Sequence, residues 1–218
     1  MTQVLEKKID TIIFDFDNTV VDSFQSVFTN FNALLTGRGM YPVEQTTFSD
    51  KYVPDWTKML TEMGMKVQEH QMEIKRFVER YHSELSRKNI RTGMKDTISD
   101  LKNSGFKTIL LASSPANVIQ SQTQANDLKF DLILSTEMKA MDKKNLLSES
   151  VKKTGMNPES AIYIGSIVED LLAAKKMGMK TIAITSGHQS VSRLRQAKAD
   201  RILQNTNFLH QAIIELTR

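Results

Sequence analysis

The chain has 218 residues, 40% hydrophobic and 25% charged, with 29 Lys and Arg against 25 Asp and Glu for a net charge of +4. That is a globular composition whose weak, scattered positive excess gives no sign of nucleic-acid binding and at most suits anionic small molecules. There is no cysteine, which excludes disulfides, thiolate metal sites and Cys nucleophiles; residues 1–8 lack the apolar core of a secretory signal, and no apolar run approaches the ~18 residues that span a bilayer, so a soluble cytoplasmic protein with no membrane partner is expected.

A first strand is expected from near Ile9, running through Ile12, Ile13 and Phe14 into Asp15, Phe16, Asp17 and Thr19. Short runs of apolar and β-branched residues mark buried strands. Phe24, Val27, Phe28, Phe31, Leu34 and Leu35 follow at helical spacing, and Gly37 and Gly39 end that helix. Residues 40–53 read as a loop, 55–63 as a short helix, and 68–88 as a longer one with Met72, Phe77, Val78, Tyr81 and Leu85 on one face. From Thr92 onward the pattern alternates. Helices are expected at 94–104, 117–126, 143–154, 168–177 and 208–216, and strands at 108–112, 130–134, 161–164, 181–184 and, as a short edge, 201–203.

Strands alternating with helices of about ten residues imply an α/β fold with a doubly wound parallel sheet. The run of helices after the first strand then reads as an insert. This divides the chain into a core, residues 1–19 and 91–218, and a helical domain, residues 20–90. No Gly-rich loop of the dinucleotide or Walker type occurs.

Four pieces carry possible chemistry. Asp15 and Asp17 stand at i and i+2 at the carboxyl end of a core strand, so they point the same way. Carboxylates there are costly unless they bind metal or react, although a bare Asp-x-Asp also fits a solvated turn. Ser113 and Ser114 follow a second buried strand, where a hydroxyl and helix-start N–H groups can hold phosphate oxygens. Read alone, Ser113 is a helix cap or turn residue. Lys143 and Lys144 open a helix, an end the helix dipole makes unfavourable for lysine unless it faces anions; read alone, the pair is a solvated surface. Gly165-Ser166-Ile167-Val168-Glu169-Asp170 ends a strand and opens a helix, where Glu169 and Asp170 are also ordinary first-turn acids.

In this order the four pieces resemble the haloacid dehalogenase-like hydrolase superfamily. The insert after the first motif is similar to its small helical-cap subgroup of phosphoglycolate phosphatase-like and β-phosphoglucomutase-like proteins. The resemblance covers nearly the whole chain. It implies a phosphatase acting on a small phosphorylated metabolite, with Asp15 as nucleophile, Asp17 as general acid and base, and Thr19 fixing the turn. It implies phosphate contacts from Ser113, Ser114 and Lys143, with Lys144 the rival lysine, and Mg²⁺ held by Asp15, Asp17 and Asp170. A phosphomutase uses the same core residues. The family's fourth motif reads Gly-Asp-x-x-x-Asp, whereas Ser166 stands here at its first acid. That substitution opens a second reading, a catalytically impaired homologue that binds a phosphorylated ligand or a protein, and raises Glu169 as a replacement metal contact. Arg38, Lys51, Trp56 and residues 41–54 are candidates for substrate contact from the insert. His70, His82, His188 and His210 show no ligand spacing and read as surface or hydrogen-bonded residues. A monomer or weak homodimer is expected.

Overall fold

The computed structural model describes residues 8–66, 68, 70–85, 87–135, 143–185 and 187–218. Strand β1 (Thr11–Asp15) is buried at every position. It pairs in parallel with β2 (Lys107–Ala112) on one side and β4 (Ala161–Gly165) on the other. β3 (Leu132–Ser135) lies outside β2, and β5 (Lys180–Ile184) and β6 (Arg201–Leu203) lie outside β4. The six strands are all parallel, in the order β3-β2-β1-β4-β5-β6. This is the expected α/β parallel sheet, and β1 sits at the point where the strand order reverses. Open α/β sheets bind ligands outside the carboxyl ends of the strands at that point.

Alternation along the strands builds two cores. Ile12, Phe14, Leu110, Ile162, Ile164 and Ile182 face one side, covered by α5 (Met94–Asn103), α6 (Ala116–Ala125) and α10 (Leu209–Leu216). Ile13, Ile109, Leu111, Tyr163 and Ala183 face the other, covered by α7 (Lys143–Thr154), α8 (Val168–Lys176) and α9 (Val191–Gln196). Successive residues point to opposite faces, so every central strand must be apolar on both.

Between β1 and α5 the described residues form four α-helices: α1 (Phe24–Thr36), α2 (Gln45–Lys51), α3 (Trp56–Glu62) and α4 (Gln71–Leu85). The segments that enter and leave this block hold each other. The Asp22 N–H donates to the Asn89 carbonyl at 3.0 Å, and the Arg91 N–H to the Val20 carbonyl at 2.9 Å. The block's interior, with Phe31, Phe48 and Phe77, joins the first sheet core without a break. Among the described residues no helix is long and apolar enough to cross a membrane.

Three local expectations change. Residues 45–51 form α2 rather than loop, because Phe48 is fully buried among Phe24, Phe28 and Phe31 and packing overrides weak local propensity. Met72 is 61% exposed, and Ile74 takes its place on the buried face of α4. β3 starts at Leu132 because the Asp131 carboxylate instead accepts the Thr108 N–H at 2.8 Å and hydroxyl at 3.0 Å.

Candidate active site

β1 carries Asp15 to the carboxyl end of the central strand, where it is 1% exposed. The chain then turns tightly around the Phe16 carbonyl, which accepts from the N–H groups of Thr19, Val20 and Val21 at 3.3, 3.0 and 3.1 Å. Asn18 adopts a left-handed φ of 56° at the bend, a conformation that asparagine tolerates better than most residues. Arg91 clamps it from below. Its Nε donates to the Asn18 carbonyl at 3.2 Å, and its guanidinium also meets the Asn18 side chain and pairs with Asp22 at 3.1 Å. Burial lowers the Arg91 pKa, and the charge of Asp22 opposes that fall. Within this turn the Thr19 hydroxyl donates to Asp15 Oδ2 at 2.9 Å.

Asp17 is held from two sides. Ser114 Oγ donates to its Oδ2 at 2.7 Å, and the Tyr81 phenol, from α4, donates to its Oδ1 at 2.8 Å. Burial first, and then the negative charge of Asp17, push the Tyr81 pKa well above its ordinary value. Tyr81 therefore keeps its proton and acts as a donor. Ser113 follows β2 directly, and Pro115, not Ser113, caps α6. Ser135 at the end of β3 braces this loop by donating to the Ser114 carbonyl at 2.6 Å.

Lys143 opens α7, but the side chains of Lys143 and Lys144 lie outside the described residues. Asp170 sits in the first turn of α8 and is 7% exposed. Ser166 is 1% exposed, and its Oγ has no hydrogen-bond partner among the described residues. Glu169 does not replace it at the site. Its carboxylate accepts from Gln189 Nε2 at 2.8 Å and pairs with Arg193 at 3.1 Å.

Asp15, Asp17, Ser113, Ser114 and Asp170 line one side of a cavity of about 420 Å³. The inserted helices supply the other side, with Tyr52, Trp56, Ile74, Val78, Tyr81 and His82. Among the insert candidates, Tyr52, Pro54 and Trp56 reach this cavity, whereas Arg38 pairs with Glu73, Lys51 is exposed and Tyr41 is 92% exposed. Two histidines also reach it, and neither is a simple surface residue. His188 is 1% exposed and stacks on Tyr52, with ring centroids 4.6 Å apart and planes 10° apart. Burial lowers the His82 pKa to about 4, so it is neutral at pH 7. Tyr52, Tyr81 and both histidines are contributed by distant segments, and only an aromatic residue on the buried face of α4 announced Tyr81.

Four carboxylates, from Asp15, Asp17, Asp55 and Asp170, line the cavity, and among its described lining residues there is no Lys or Arg. Buried carboxylates in such a place need a cation. No three His, Asp or Glu side chains among the described residues form a ready-made metal centre. Mg²⁺ does not require one, since it is commonly bound by one or two carboxylates and keeps waters and substrate phosphate as its remaining ligands. Asp15 and Asp170 fit that donor set.

Residues 12–184 match the model of the haloacid dehalogenase-like hydrolases. The chain is 24% identical over 213 residues to phosphoglycolate phosphatase of Synechococcus elongatus, covering 96% of this chain and all of that one. It is 21% identical over 220 residues to pyrophosphatase PpaX of Bacillus cereus, covering 97% and 99%. A crystal structure described as a predicted phosphatase from Clostridium acetobutylicum superimposes with a TM-score of 0.80 at 20% identity, over 95% of this chain and 99% of that one. A match that spans most of the chain, on a parallel sheet with its carboxylates at the strand-order reversal, makes this protein an enzyme of the haloacid dehalogenase-like hydrolase family.

Proposed function

We propose that the enzyme is a Mg²⁺-dependent phosphatase that hydrolyses a small phosphorylated metabolite through an aspartyl-phosphate on Asp15. The observation that carries this reading is the placement of Asp15 and Asp17 side by side in one cavity with Ser113 and Asp170. The names of the relatives support phosphoryl chemistry.

In the first step an Asp15 oxygen attacks phosphorus, and the bond from phosphorus to the alcohol oxygen breaks. Asp17 gives its proton to the departing alkoxide. In the second step Asp17 takes a proton from water as that water attacks phosphorus, and the Asp15 carboxylate leaves. The Thr19 hydroxyl donates to Asp15 Oδ2 and fixes the orientation of the carboxylate. Ser113, with the N–H groups around it, binds phosphoryl oxygens, and Lys143 adds positive charge. Mg²⁺ held by Asp15, Asp170 and the Asp17 backbone carbonyl would neutralise the phosphate and let an anionic nucleophile approach it. Helices α1 to α4 act as a cap, residues 20–90, that shields the aspartyl-phosphate from bulk water.

The test is hydrolysis of 4-nitrophenyl phosphate with and without Mg²⁺, beside Asp15→Asn. The reading requires metal-dependent turnover that falls by roughly a thousandfold or more in the variant, the scale on which nucleophile removal acts. Equal rates in a folded wild type and variant would refute it.

A further inference from the structure

Among the described residues, the half of the cavity contributed by the inserted helices offers no Lys or Arg to a second negative charge. Its polar and charged groups include Asp55, itself an acid, Tyr81, committed to Asp17, and His82, which burial keeps neutral at pH 7. Two arginines of the cap are occupied elsewhere, Arg38 by Glu73 and Arg80 by Glu84. The rest of that described wall is mostly aromatic and aliphatic. Trp56 is wedged edge-on between Tyr52 and Phe77, with ring centroids 5.7 and 5.0 Å apart, and Ile74 and Val78 extend its face along α4. The His188 ring is stacked on Tyr52.

We propose that the substrate is a phosphate monoester whose alcohol is uncharged and bears an aromatic or similarly flat apolar group, seated against Trp56, Ile74, Val78 and His82. The site then discriminates against esters with a second anion, which sets this enzyme apart from the phosphoglycolate and pyrophosphate activities for which its relatives are named. A second anion placed here would lose its water and meet Asp55 in place of a cation, and burying an unpaired charge is far costlier than burying a ring. The cavity, about 420 Å³, is in the range of small-molecule sites and has room for a group larger than glycolate. This inference rests on the phosphatase reading for its chemistry but not for its binding preference.

The test therefore has a kinetic and a binding arm. In the kinetic arm, benzyl phosphate and phosphoglycolate are compared at saturating Mg²⁺, both being esters of alkyl alcohols. The expected result is a kcat/KM at least about tenfold higher for benzyl phosphate, the factor one favourable ring contact supplies. Thr57→Arg, which adds a cation at the cavity wall, should shift the ratio toward phosphoglycolate by about tenfold, the scale of one charge-assisted hydrogen bond. In the binding arm, emission from Trp56, the chain's single tryptophan, reports titration with two non-hydrolysable phosphonates. Here 2-phenylethylphosphonate should bind at least about tenfold more tightly than 3-phosphonopropionate, by the same ring contact. Equal or better turnover of phosphoglycolate or pyrophosphate, or tighter binding of 3-phosphonopropionate, overturns the proposal. If no ester is hydrolysed, the phosphatase reading fails, and the phosphonate titration still decides the ligand class.

Discussion

Asp17 accepts from two donors that belong to different parts of the molecule, Ser114 of the core and Tyr81 of the inserted helices. Each donor favours the ionised carboxylate over the protonated one. The proposed mechanism requires Asp17 to carry a proton when the alcohol departs, so the Tyr81 contact ties that step to the placement of α4. Tyr81→Phe removes one donor and keeps the ring. The expected result is a fall in kcat of roughly tenfold, on the scale of one hydrogen bond to a charged group. The high-pH limb of the kcat/KM profile should move upward as well, because Asp17 then holds its proton to higher pH. A lower rate with an unmoved limb would reduce Tyr81 to packing. Asp15 and Asp17 could be singled out from sequence because their i, i+2 spacing gives them one direction at a strand end, whereas Asp170 was singled out only by the resemblance of its motif; all three line the cavity. Tyr81 could not be assigned a role in this way, since its partner lies 64 residues away. Ser166, which stands where the resembled motif has its first acid, is absent from the cavity lining, where Asp170 is present.

At the scale of elements, the inserted helices are joined to the rest of the molecule through α2 and the segment after β5. Ser49 donates to the Gly187 carbonyl at 2.7 Å, and Arg193 donates to the Tyr52 carbonyl at 2.5 Å while pairing with Glu169. Gly187 is required there. Its φ is +123°, and an added Cβ would sit 2.7 Å from the Phe24 ring. Phe48 anchors α2 in the aromatic cluster beneath this junction. Phe48→Ala should lower unfolding free energy by about 3–5 kcal/mol, the usual cost of emptying a fully buried phenylalanine site, as read from urea melts. A loss under about 1 kcal/mol would mean α2 is not anchored by this packing. Most helices and strands were legible in the sequence because their apolar residues recur with a helical or a strand period. The seven residues of α2 and six of α9 span under two helical turns each, too short for a period to show, and they form because their neighbours bury them.

Across the whole molecule, the parallel sheet turns sequence order into spatial convergence. Asp15 ends β1, Ser113 follows β2 and Gly165 ends β4, so three pieces far apart in the chain arrive at one end of the sheet. The order of those pieces was enough to anticipate the fold, whereas the shape and charge of the cavity depend on how the inserted helices cover that end of the sheet. The account stands or falls on Asp15 as the group that takes the phosphoryl. The most direct measurement is acid quenching of the enzyme during turnover of 4-nitrophenyl phosphate, followed by peptide mass spectrometry. The nitrophenolate needs no proton to leave, so the first step runs ahead and the covalent species accumulates. The account predicts one added phosphoryl group on the peptide carrying Asp15, absent in Asp15→Asn. Turnover with the phosphoryl group on Asp17, or on no residue at all, would contradict it.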